Sequence, residues 1–209
     1  MLTTARTGPV RLGRAHVSIL MTNEARLNLL ARLAQSTPAV PRVAAKPSSI
    51  LSVAAVSYGT RPVGDATVPT GFDPIAVALF EAIVDAAFIV ANADDVFDAE
   101  ERRVFEQVVT AACGGAVAQH QIHALVSDLD DQLREDGIDR RVEMIAASIT
   151  KKDHAREVLR VAALLAHVSD DVSPVEHEVL RKIAEKCGIE PSEVEIALDD
   201  AKRALSASV

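Results

Sequence analysis

Tryptophan is absent, tyrosine occurs once, and aromatics together make up only 3% of the 209 residues. A sheet sandwich draws heavily on aromatic and β-branched side chains, so this shortage favours closely packed helices built from Ala, Val, Leu and Ile. Cysteine is nearly absent too. Cys113 and Cys187 are too few and too far apart for a disulfide framework or a metal knuckle. Each falls at the tail of an expected helix just before glycine, where a small apolar side chain packs. That usage suits a reducing, cytoplasmic location. The first 20 residues hold three arginines and no acid, but lack the continuous apolar core of a secretion signal. Met21, directly ahead of a helix start at Thr22 or Asn23, is a candidate initiator. No Ser/His/Asp grouping, phosphate loop or reactive-thiol setting is visible, so the expectation is a protein that is not an enzyme.

Positive charge is scarce after residue 73. Residues 1–73 carry eight Lys/Arg against three acids, a net of +5, so in a chain of net charge −8 the remainder carries −13. Such a surface repels phosphate backbones and lipid headgroups, which excludes nucleic acid as the expected partner of the folded part. The first 73 residues read as a flexible basic arm. Asn23 to Gln35 forms one short amphipathic helix through Leu27, Leu30, Ala31 and Ala34, and Pro38, Pro41, Pro47, Pro62 and Pro69 interrupt the chain beyond it. The mildly apolar run from Ile50 to Tyr58 could dock on the core or on another molecule, and residues 22–58 are the expected contact for a protein partner. On this reading residues 1–70 are removable without a change in the melting transition.

Helix-forming sequence with strong start signals is abundant. Asp73-Pro74 opens a helix from Ile75 to Asn92 that is apolar except for Glu81 and Asp85. Two acids in eighteen residues make a poor membrane span and a good central helix. At 100° per residue, Glu81, Asp85 and Asn92 fall within about 40° of one another and form one polar stripe. Further helices are expected over about 98–112, 117–134, 138–150, 153–168, 174–187 and 191–205. The fold class is therefore all-α, a seven-helix bundle over 74–209 preceded by the arm.

One stretch occurs twice. ANADDVFDAEERRVFE (91–106) and AHVSDDVSPVEHEVLR (166–181) align when the chain is slid by 75 residues. Asp98 then falls on Ser173, Glu101 on Glu176 and Val104 on Val179. Both copies carry a capping box, a short acceptor followed three residues later by glutamate. The same slide sets Arg156, Arg160 and His167 against Glu81, Asp85 and Asn92, so the two stripes pair or face solvent. Alternatively, Glu81 and Asp85 help to hold a metal or a proton.

The acids of the turns have two readings. Asp94, Asp95, Asp98 and Glu101 in the first, with Asp170, Asp171 and Glu176 in the second, could supply oxygens to a hard cation. The spacing is not that of an EF-hand, since Ala99 stands where its glycine would be and Phe105 where its last glutamate would be. Helix capping accounts for Asp98, Glu101 and Glu176 without any metal. His120 and His123, three apart, have no third His or Cys nearby and read as a solvated face.

The Ala-rich helix, the turn ADDVFDAEE and the late segment EKCGIEPSEVEIAL resemble the tellurite-resistance TerB family and its TerB-like relatives over roughly residues 75–205. The resemblance implies an all-α fold of two pseudo-repeats, a role in stress and tellurite resistance, and a divalent cation (Ca²⁺, Mg²⁺ or Zn²⁺) or a protein partner held by the acids. By position the motif falls on Asp94, Asp98 and Glu101, and on Asp170, Ser173 and Glu176. Asp95 stands where the family has glycine, which removes that position's freedom for positive φ. The second turn is one residue shorter. The alternative is an adaptor or assembly protein whose N-terminal arm recruits a partner, with the bundle purely structural.

Overall fold

Around one long apolar helix the rest of the chain is arranged. The structure, a computed structural model, describes residues 23–36, 49–62, 72–94, 97–168 and 172–207. Within them are eight α-helices and no strand: α1 (Asn23–Gln35), α2 (Ile50–Gly59), α3 (Pro74–Ala91), α4 (Ala99–Ala112), α5 (Gln119–Ser148), α6 (Lys152–Leu165), α7 (Pro174–Lys186) and α8 (Ser192–Ser206). The expected all-α bundle is what forms.

α3 starts where Asp73 Oδ1 accepts from the amides of Ile75 and Ala76, with Pro74 in the first turn. It packs against α2, α5, α6 and α7. By length and composition α3 could cross a membrane, yet 67% of it is buried inside the fold. α4, by contrast, packs against α1 and α5.

The division expected at residue 73 does not divide the core. Ile50–Gly59 is a second helix, where the sequence reading had only one before residue 74. Ser49 caps it by accepting from the Ser52 amide at 3.0 Å, so Pro47 and Pro62 flank the helix and interrupt nothing. Leu51, Ala54, Ala55 and Tyr58 of α2 join Leu30, Ala31 and Ala34 of α1 in the same buried cluster as α3 and α6. Gly59 lies so close to the Ala116 carbonyl that a Cβ there would overlap it.

A half-buried ion pair on α6 ties these two helices down. Glu157 and Arg160 pair at 2.8 Å, one turn apart. Arg160 also donates to the carbonyls of Leu33 and Ala34 at 3.0 and 2.8 Å, satisfying the C-terminal end of α1. Glu157 accepts from the Leu51 amide at 3.4 Å, at the N-terminus of α2. Each charge thus sits at the helix end whose dipole it complements. Gln35 then joins the end of α1 to the Ala111 carbonyl at the end of α4, at 2.9 Å.

The two helices expected over 117–134 and 138–150 are the two halves of α5, parted at Gly137, whose φ of 74° and ψ of 164° lie outside the helical region. Only glycine reaches that conformation without strain. The break turns the second half of α5 back so that Val142 and Ile145 enter the core and Arg141 is buried with them.

Candidate functional site

The duplicated turns are the first place to look, because both are built alike. Asp98 Oδ1 accepts from the amides of Glu100 and Glu101 at 2.8 and 2.9 Å, and Glu101 Oε2 accepts from the Asp98 amide at 3.0 Å. In the second copy Ser173 Oγ accepts from the Glu176 amide at 3.2 Å, and Glu176 Oε2 from the Ser173 amide at 2.6 Å. Both expected capping boxes are formed, and α4 and α7 begin at Ala99 and Pro174, which are 75 residues apart.

The residue ahead of each cap is apolar and partly buried. Phe97 packs edge-on against Phe88 and Phe105 at centroid distances of 5.6 and 6.0 Å, while Val172 packs on the core in the second copy. A capping box and an apolar anchor together fix the angle at which the chain enters the helix. We expect Asp98→Ala and Ser173→Ala each to cost about 1 kcal/mol, lowering the melting midpoint by about 2–4 °C in thermal unfolding.

Asp98, Glu101 and Glu176 are therefore helix-starting groups. Asp94 is exposed on the first turn. Asp95, Asp170 and Asp171 lie outside the described residues. Among the described residues no three His, Cys, Asp or Glu side chains come together as metal ligands. A hard cation asks for six or more oxygens, and the described part of neither turn supplies such a set.

The polar stripe on α3 does not meet the basic residues expected to face it. Glu81 pairs with Arg61 at 3.4 Å, and Asp85 with Arg141 inside the core. Arg156 instead pairs with Glu193 on α8 at 2.8 Å, and Arg160 with Glu157. His167 donates from Nδ1 to the Ala163 carbonyl at 2.9 Å, and Asn92 donates to the Phe88 carbonyl. A 75-residue offset relates positions along the chain; it does not make them neighbours in space.

Burial dominates the electrostatics here. It pushes the Asp85 carboxyl up to about 6, against the opposing pull of Arg141. Burial likewise raises Glu81, with Arg61 working the other way. The Cys113 and Cys187 thiols are pushed up to about 12 and about 11 by burial, which leaves them protonated and unreactive at neutral pH. His123 reaches Glu106 at 3.1 Å from an exposed position.

Tyr58, Arg61 and Arg141, which surround the stripe, were missed as site residues in the sequence. The one available signal for Arg141 was Gly137, since a helix break four residues earlier re-aims the residues after it. No protein-family model matches this chain, and neither a curated protein nor a solved structure matches it.

Proposed function

We propose that the protein is a non-enzymatic, TerB-like stress-response module that acts by contact through its two acidic turns, toward a protein partner or a divalent cation. The observation that supports this reading is the pair of helix starts, 75 residues apart, each locked by a capping box and an apolar anchor. In the sequence, the acids just ahead of these starts that capping does not use are Asp94 and Asp95 in one copy, and Asp170 and Asp171 in the other.

The test is a variant with all four changed to Asn. Its melting midpoint should stay within about 2 °C of wild type, as expected for surface changes away from caps and core. In cells exposed to tellurite, wild type should protect and the variant should not. Equal protection by both, or none from wild type, counts against the proposal. Calcium, magnesium and zinc added to the purified protein separate its two halves. At a hundred times Kd, a bound cation adds about 2.7 kcal/mol, or about 5–10 °C, to wild type alone. No such shift leaves the protein partner.

One observation favours the adaptor reading. Val53 and Val56 of α2, three residues apart on one helix face, are 54% and 55% exposed. On that reading Val53→Ser with Val56→Ser, and not the four-Asn variant, removes the protection.

A further inference from the structure

α2, α3 and α5 together line a half-open cavity of about 300 Å³. None of the acids of the two turns belongs to it. Three of its lining side chains hold a buried polar atom with no hydrogen-bond partner among the described residues: the Tyr58 hydroxyl, Asp85 Oδ1 and Arg141 Nε. Tyr58 is wholly buried, and Asp85 and Arg141 are 4% and 5% exposed. Buried polar groups are nearly always paired, so three orphans around one cavity are a concentration that packing does not account for.

Their chemistry restricts what would satisfy them. Ionised Asp85 Oδ1 only accepts, Arg141 Nε only donates, and the Tyr58 hydroxyl does either. A simple cation leaves the arginine donor unmet, and a simple anion leaves the carboxylate unmet. Arg61, Glu81 and Asp128 also line the cavity, so its walls carry two guanidiniums and three carboxylates. The Arg61 guanidinium stacks over the Tyr58 ring, 4.0 Å from its centroid, and its side chain is 31% exposed, which leaves it room to shift. The remaining wall is mixed, with Leu125, Leu129 and Ile145 forming an apolar part and Gln132 and Ser148 a polar one.

We propose that this cavity binds a small zwitterion with an aliphatic body, of the α-amino-acid type. Its ammonium faces Asp85, Glu81 and Asp128, its carboxylate faces Arg61 and Arg141, and its side chain lies against the leucines and Ile145. A volume of about 300 Å³ stands at the small end of ligand pockets, which suits a molecule of that size.

Three probes test it on the full chain: L-leucine, 4-methylpentanoate, which lacks the amine, and 3-methylbutylamine, which lacks the carboxylate. Binding is followed through the backbone amide signals of Tyr58, Asp85 and Arg141. Leucine should give saturable shifts at all three, and each single-charge analogue should bind about tenfold more weakly or worse. Arg61→Gln should weaken leucine while leaving 3-methylbutylamine unchanged. Ala78→Leu, which adds bulk from a half-buried position on the cavity wall, should abolish binding. The proposal is overturned by the absence of saturable shifts up to about 10 mM leucine. It is equally overturned by an amine that binds as well as leucine, or by leucine binding that survives Ala78→Leu.

Discussion

Deleting residues 1–62 abolishes the cooperative thermal transition. The deletion removes α1 and α2 and with them Leu29, Leu30, Leu51 and Tyr58, all buried at 5% exposure or less. Burying a large apolar side chain is worth about 1.5–3 kcal/mol, so these four together contribute about 6–12 kcal/mol. That is comparable with the whole stability of an ordinary domain, about 5–15 kcal/mol. The deletion also takes the Leu51 amide from Glu157 and strips Arg160 of two backbone acceptors. Circular dichroism and calorimetry on the truncated chain should find helix content reduced beyond the residues removed, and no sharp melting. A truncated chain that melts like the full one would restore the sequence reading of a detachable arm. The result bears on the adaptor reading as well, because a binding test by deletion would report unfolding in place of lost contact.

Arg141→Ala is expected to have the second largest effect, about 3–5 kcal/mol of destabilisation at neutral pH. Removing one member of a buried pair leaves the other charge without compensation. Asp85 would remain within the core on α3, and Asp136, the second partner of Arg141, would lose its contact as well. Replacing both members, as in Asp85→Leu with Arg141→Met, should cost far less than the single change, because an apolar pair of similar volume needs no compensation.

The pH dependence has a definite sign. Burial raises Asp85 to about 6 from an unfolded value of 3.8. Between those values the folded state binds the proton more tightly than the unfolded chain does. Stability from this group is therefore fully present below about 4 and is lost as pH rises through about 6. In Arg141→Ala the opposing guanidinium is gone and the carboxyl rises further. The variant should consequently be less destabilised at pH 5 than at pH 8, as measured by urea unfolding at both. An equal loss at the two pH values would mean that the charge on Asp85 is not what makes the change costly.

The two sites were legible to different degrees, for physical reasons. Capping is local: Asp98 with Glu101, and Ser173 with Glu176, are written within four residues of chain, and both form as expected. Gly137 was likewise readable as a stop, and its positive φ is the reason. α2 was not read as a helix because prolines stand close on either side of it in the sequence, yet Ser49 was there to cap it. Long-range pairing was the real loss. Nothing in the spacing of Glu81 and Asp85 names Arg61 or Arg141, because the choice of partner depends on where α2 packs and where α5 turns. The internal repeat suggested Arg156 and Arg160, but Arg156 pairs with Glu193 on α8 and Arg160 holds the end of α1.

The clamp that α6 places on the first two helices also sets an order of events during synthesis. Arg26 donates to the His167 carbonyl, 141 residues downstream, and Arg160 reaches back 126 residues to the Ala34 carbonyl. When α1 and α2 leave the ribosome, the helix whose Glu157 and Arg160 hold their ends has not been made. Their packing partners α3 and α4 follow sooner, but the clamp must wait, at about 5–20 residues per second, for some hundred residues after α2. Contacts this far apart in the chain slow folding and lengthen the exposure of apolar surface. The ends of the two N-terminal helices are thus pinned late, once Glu157 and Arg160 have been made.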